Sequence, residues 1–230
     1  MSLFANIHDA IAEFRSGRPV ILVDDEDREN EGDLSIPAEF ATPEIINFMA
    51  SEAHGLICMP TTGERLDQLG LPLIYPRTAK DAAAFTIPVD ARDGVSTGIS
   101  AEDRARTVAT ILDPRSHPQD LVSPGHLFPL RYAEDGVLAR PGHTEASVDL
   151  ARLAGCYPAA VICEVLSDNG NMARGAALLA FAQRHGVAVA TIADLIDHRR
   201  SEAPTPSRFT GDLTSAVTGR GLYLLSDLLQ

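Results

Sequence analysis

The chain has 230 residues, enough to bury one full core, so one large domain or one domain with a tail is expected. Hydrophobic residues make up 45% and charged residues 22%, the proportions of a soluble globular protein. A formal charge of -13 excludes the basic footprint of a nucleic-acid binder, and no apolar stretch is long enough to span a membrane. The first fifteen residues carry Asp9 and Glu13 and lack signal-peptide anatomy. Cys58, Cys156 and Cys163 are odd in number, form no CxxC pair and sit in apolar context. They read as buried thiols in a reducing cytoplasm, not as a disulfide framework or zinc ribbon.

Phe4, Ile7, Ile11 and Phe14 recur at helical spacing, with Gly17 as the stop. Residues 19–23 form a β-branched apolar run that suits a buried strand, and the run ends in the acidic segment 24–33. Thr42 and Pro43 open a helix to about Ser51. Residues 55–59 and 85–89 read as strands. Ser100 to Asp103 has the capping-box form and starts a helix with Val108, Ile111 and Leu112 on one face. Residues 126–130 and 137–140 read as strands around a turn. Thr144 is expected to cap a helix to Leu153, with Gly155 past its end. A strand over 159–166, a helix over 175–185, a strand over 187–191 and a helix over 192–199 complete the order. Alternation of strands and helices, with some adjacent strands, predicts a layered α/β or α+β sandwich with a mixed sheet. From residue 201 to 230 the composition turns to Ser, Pro, Thr and Gly, as in a linker or tail, with 222–229 apolar enough to dock.

Residues 24–33 hold seven carboxylates and one arginine directly after a buried strand. A solvated acidic face is the plain reading. Ligands of open α/β sheets bind beyond strand carboxyl ends, so a metal or polyol site is the alternative. Of Asp24 and Asp25, only one can face such a site if the strand persists. Two segments, Pro124-Gly125-His126 and Pro141-Gly142-His143, each place a histidine after a glycine. Histidine serves as metal ligand or proton shuttle. Arg140 and Thr144, beside the second, are donor types a phosphate needs. Glu164 lies in an apolar strand, where a carboxylate is either paired across strands or a base of raised pKa. Thr97-Gly98-Ile99-Ser100 precedes a helix start, which favours anions, although Glu102 and Asp103 oppose one there.

The segments DDEDRENEGD (24–33), STGISAEDRARTV (96–108), PGHLFPLR (124–131), GVLARPGHTEASVDLARLAG (136–155) and VICEVLSDNGNMAR (161–174) together resemble the 3,4-dihydroxy-2-butanone 4-phosphate synthases of riboflavin biosynthesis. The resemblance runs from about Phe4 to Arg199, and residues 75–84 fit least well. It implies an α+β, three-layer α/β/α sandwich with a mixed, twisted central sheet over residues 1–200, followed by a tail of unassigned role. It implies a carbon–carbon lyase that converts D-ribulose 5-phosphate to L-3,4-dihydroxy-2-butanone 4-phosphate and formate. The cofactor implied is Mg2+, with Mn2+ as an alternative. Glu29 and His143 match the family's metal ligands. Asp24, Arg28 and Asp33 match residues that hold sugar hydroxyls. Arg140, Pro141, Gly142 and Thr144, with Thr97, match the phosphate side. His126 and Glu164 match the essential proton-transfer pair, Glu164 also touching substrate. The resemblance further implies a cytoplasmic homodimer with sites near its interface, and no nucleic-acid or membrane partner.

Overall fold

A computed structural model describes residues 5–75 and 82–201. The predicted tail beyond Ser201, and residues 76–81 of the least typical segment, lie outside the described residues. Helix α1 (Ile7–Arg15) starts at Asn6, whose side chain accepts from the Asp9 N–H. It feeds β1 (Val20–Val23), β2 (Gly32–Pro37), α2 (Pro43–Phe48), β3 (Cys58–Thr61) and α3 (Gly63–Gln68). Then come β4 (Val89–Ala91), α4 (Ala101–Leu112), β5 (Leu121–Arg131), α5 (His143–Ala154), β6 (Ala160–Glu164), α6 (Ala176–His185), β7 (Ala188–Thr191) and α7 (Ile192–Ser201).

The seven strands form one sheet in the order β4-β5-β3-β6-β2-β1-β7. Parallel pairs β1/β7 and β3/β5 stand among antiparallel pairs β1/β2, β2/β6, β3/β6 and β4/β5, so the sheet is mixed. Alternation along the strands explains the layers. Ile21, Leu34, Ile36, Val161 and Val189 face Ile45, Ile46 and Met49 near α2, Val108 and Ile111 of α4, and Leu178 and Phe181 of α6. Val20, Leu22 and Ala190 face Ala10 and Phe14 of α1, Ala146 and Leu150 of α5, and Leu195 of α7. Both sheet faces are thus covered, which gives the α+β three-layer sandwich.

Five local expectations change. Strand β2 has no counterpart in the sequence reading: Asp33 and Ser35 alternate with Leu34 and Ile36, and all are buried. Residues 85–89 are not one strand. Phe85 and Thr86 make isolated bridges, and the ladder resumes only at Val89, beyond Pro88, which has no N–H to donate. Residues 137–140 form no strand; Gly136–Leu138 is a 3-10 turn, because the Val137 N–H is taken by Asp149 Oδ2 at 3.0 Å. Thr144 does not cap α5. Gly142 is the N-cap and Thr144 lies buried within the first turn. Helix α2 also ends early, passing into a π-helical turn Met49–Ala53 that stops at left-handed His54.

Candidate active site

Asp24 follows β1 directly and organises the acidic loop. Its buried carboxylate accepts the backbone N–H groups of Glu29 (3.1 Å) and Glu31 (2.8 Å) and Nη1 of Arg28 (2.7 Å). Asp25, Glu26 and Asp27 point to solvent. The run is therefore neither wholly a solvated face nor wholly a site: one buried carboxylate folds the loop and its neighbours keep it soluble. Arg174, from the segment after β6, fastens the far side by donating to the carbonyls of Asn30 (2.7 Å) and Glu29 (3.1 Å). Sequence reasoning assigned Arg174 no role, since nothing local ties it to residues some 145 positions away.

Glu29 Oε2 accepts from Arg28 Nη1 at 2.7 Å and lies 3.6 Å from His143 Nδ1, within ion-pair reach but beyond hydrogen bonding. His143 is the first residue of α5 and is buried. Asp24, Glu29 and His143 each offer a donor atom within 4.8 Å of the others. Nε2 of His143 is buried and has no hydrogen-bond partner among the described residues. Carboxylate oxygens plus an orphaned imidazole nitrogen are a donor set that suits a divalent cation. The loop thereby gains a third candidate ligand, Asp24, beside the expected Glu29 and His143.

The charges are strongly coupled. Contact with His143, then the Arg28 guanidinium, hold Glu29 at about 2 against its partial burial. Burial opposes charge on His143, yet Asp33, Glu29 and Asp24 outweigh it and raise the imidazole to about 9. Asp33 lies in β2, directly across from Glu164 in β6. Burial, reinforced by Glu164, Glu29 and Glu31 and opposed by His143, lifts Asp33 to about 7. Glu164 is only half-buried, at the end of β6, where its Oε2 accepts the Leu56 N–H at 2.7 Å. The carboxylate enclosed within apolar strands is thus Asp33, not Glu164. Gly55 makes room for Glu164: a Cβ there would lie 2.3 Å from the Glu164 carbonyl oxygen.

At the α5 start, a Cβ on Gly142 would meet Arg140 Nη1 at 2.2 Å and Arg28 Nη2 at 3.1 Å. Two guanidinium groups therefore approach one helix N-terminus, with Pro141 leading into it. Arg140 is buried and donates to Glu145 Oε2 at 2.5 Å. Thr97 lies exposed in a turn before α4, on the β4/β5 side of the sheet. His126, in β5, holds Asp90 of β4 and stands apart from the cluster. Strands β6 and β3 lie between β5 and β2. At about 4.8 Å per strand, His126 is about 14 Å from Asp33 across the same end of the sheet. Asp90 was missed because its link to His126 exists only through the pairing of β4 with β5.

A mixed-sheet sandwich with a carboxylate–imidazole cluster at its strand ends, next to a helix N-terminus flanked by two arginines, defines an α+β protein with a cation-type ligand set. Residues 8–198 match the family model of 3,4-dihydroxy-2-butanone 4-phosphate synthase. A 3,4-dihydroxy-2-butanone 4-phosphate synthase of Neisseria meningitidis serogroup B is 50% identical over 200 residues, 86% of this chain and 55% of that protein. The riboflavin biosynthesis protein RibBA of Synechocystis is 53% identical over 86% of this chain and 36% of its own length. A crystal structure of a 3,4-dihydroxy-2-butanone 4-phosphate synthase in complex with two magnesium ions superposes with TM-score 0.79 at 43% identity, covering 85% of this chain and 96% of that one. The chain belongs to the 3,4-dihydroxy-2-butanone 4-phosphate synthase family. It spans about half the length, or less, of these two curated relatives.

Proposed function

We propose that this chain catalyses the Mg2+-dependent conversion of D-ribulose 5-phosphate to L-3,4-dihydroxy-2-butanone 4-phosphate and formate, a carbon–carbon lyase step of riboflavin biosynthesis. The observation that carries the reading is the cluster of Asp24, Glu29 and His143, whose imidazole keeps one buried nitrogen without a partner and feels the charge of buried Asp33. Glu29 and His143, with Asp24 in reach, would hold Mg2+, or Mn2+ in its place. When bound, such a cation polarises sugar oxygens and stabilises the enediolate charge.

The protein's own groups do the rest. Arg28 and Asp33 hold sugar hydroxyls, with Asp24 keeping Arg28 in place. Arg140, Pro141, Gly142 and Thr144 take the phosphate at the α5 start, where backbone N–H groups and two guanidiniums favour an anion, and Thr97 adds a hydroxyl. Glu164 and His126 move protons, which a multistep enolisation, dehydration and rearrangement needs at more than one position. The ordered acidic loop limits water at the reacting carbons.

The same reading makes residues 1–200 the catalytic unit and 201–230 an accessory tail, in a cytoplasmic homodimer with sites near the interface. Exposed Leu56 and Ile99, close to the sheet end that carries His126, support such an interface. Cys58, Cys156 and Cys163 are all buried thiols, which supports a reducing compartment. The described residues contain no helix long and apolar enough to cross a membrane.

Incubation of the purified protein with ribulose 5-phosphate and Mg2+, with formate measured against an EDTA control, tests the proposal. Metal-dependent formate is expected. A folded, metal-binding protein that releases none is instead another sugar-phosphate lyase or isomerase.

A further inference from the structure

Helix α5 turns a polar face toward the segment that precedes it. Glu145 and Asp149 are four residues apart, so their side chains stand one above the other on that face. Both are buried, Asp149 completely. Glu145 accepts the Ala133 N–H at 3.2 Å and Arg140 Nη1 at 2.5 Å. Asp149 accepts the Tyr132 hydroxyl on Oδ1 at 2.7 Å and the Val137 N–H on Oδ2 at 3.0 Å. The two carboxylates thus grip residues 132–140 along their length, and that segment delivers Arg140, Pro141 and Gly142 to the α5 start.

The turn Gly136–Leu138 is built around Asp149. Gly136 adopts φ +60, and a Cβ there would lie 2.2 Å from Asp149 Oδ2 and 2.5 Å from the Tyr132 hydroxyl oxygen. The Gly136 carbonyl accepts the N–H groups of Ala139 and Arg140, each at 3.0 Å, so the Arg140 backbone is tied to the turn. A buried carboxylate persists only with a compensating charge and filled lone pairs. Arg199 of α7 supplies the charge, its Nη1 2.5 Å from Oδ2. Arg152 holds Tyr132 in place, donating Nη1 to the hydroxyl at 2.9 Å with its guanidinium 4.6 Å from the ring centre.

We propose that Asp149 is a positioning residue for the phosphate side of the site: held by Arg199, its carboxylate fixes the turn Gly136–Leu138 and, through that turn, the place of Arg140. The inference rests on the reading of Arg140 as a phosphate contact. Glu145 aims the guanidinium, and Asp149 fixes the backbone that carries it. Asparagine in place of Asp149 fills the same space but offers one oxygen where the carboxylate uses two, so the Tyr132 hydroxyl or the Val137 N–H loses its acceptor. Arg199 loses its counter-charge at the same time. A carboxylate that merely stabilised the fold would act whether or not Arg140 were present, whereas a positioning one acts through Arg140.

The experiment is a double-mutant cycle on formate release from ribulose 5-phosphate. Asp149→Asn is expected to raise KM about 5- to 50-fold, a share of what a charged hydrogen bond to phosphate supplies. In an Arg140→Gln background the same change is expected to move KM less than about twofold, as for two residues acting on one contact. Calorimetric Mg2+ affinity is expected to stay within about twofold of wild type, since none of the three cation-site residues touches Asp149. An unchanged KM in Asp149→Asn, an equal loss in both backgrounds, or a parallel loss of Mg2+ affinity overturns the proposal. If Asp149→Asn is unfolded by circular dichroism, Arg199→Gln, which loosens the carboxylate from outside, takes its place in the cycle with the same outcomes. If the wild type makes no formate, the assigned reaction fails, and the calorimetric Kd for ribulose 5-phosphate carries the cycle instead; a wild type that does not bind it overturns both.

Discussion

At the residue scale, the site works by holding charges that would not survive apart. Glu29 at about 2 and His143 at about 9 each depend on the other and on the loop around them. Removing one carboxylate therefore leaves an imidazole with less reason to stay charged and a cation with fewer oxygens. Glu29→Gln is expected to weaken Mg2+ binding, read by calorimetry, by more than the roughly 10- to 100-fold typical of an outer-shell change. Formate release should fall with it; unchanged binding would remove Glu29 from the ligand set. Asp33 carries the opposite lesson. Its folded value of about 7 stands above the ordinary 3.8, so the folded state binds a proton that the unfolded chain releases. Stability is therefore lost as pH rises from about 4 to about 7 and is lowest, for this group, above that range. In EDTA, Asp33→Asn is expected to melt higher than wild type at pH 8, with the gap closing at pH 4, while activity falls. An equal gap at both pH values would show that Asp33 is not held protonated by burial.

At the element scale, helix starts decide where the functional loops lie. Ser100 caps α4 by accepting the Asp103 N–H at 3.0 Å. The reciprocal half of the expected capping box is not made. The Asp103 carboxylate reaches past Ser100 to the backbone of Ser96 and Gly98, and so trades a local cap for control of the turn that carries Thr97. The N–H groups of Ser96, the Ser96 hydroxyl and Gly98 lower this carboxyl to about 2. The stability it adds is present above the ordinary value near 4 and lost as pH falls through about 2. Thermal melts of Asp103→Asn against wild type should differ at pH 6 and converge near pH 2; parallel curves would refute the assignment. Helix α5 shows the other extreme, with ten of its twelve residues buried. Its two buried carboxylates are partnered inward: Glu145 accepts from Arg140 at 2.5 Å, and Asp149 accepts from the Tyr132 hydroxyl at 2.7 Å and pairs with Arg199 of α7 at 2.5 Å. Such a helix is a rigid mount for His143 at its first residue.

At the scale of the whole molecule, the sheet gathers from both ends of the chain. Strand β7 lies beside β1, and β2 lies beside β6, so the acidic loop, Asp33 and Glu164 meet although 140 residues separate Asp24 from Glu164. Three strand spacings separate His126 from Asp33 within one chain, so the proposed homodimer would make its contact on the surface beside His126. Ile99, 52% exposed, sits there next to Gly98. Ile99→Arg is expected to shift the sedimentation equilibrium toward monomer and to lower activity at dilute protein. A dimer of undiminished affinity would put the interface elsewhere.

By itself the sequence determined the layered class, most helices, the apolar strands β1, β6 and β7, and which residue types could bind a cation or a phosphate. These are local properties: periodicity, caps and charge runs follow from neighbours within a few positions. Only the tertiary structure decided that Asp24 folds its own loop, that Asp33 rather than Glu164 is the enclosed carboxylate, that Arg174 closes the loop, and that Asp90 holds His126. It also made β2 a strand, because a polar segment such as Gly32–Pro37 extends only when β1 and β6 supply both ladders. In each case the deciding contact joins residues distant in the chain. Burial, which sets the energy of a charge, is a property of what the rest of the fold brings over it.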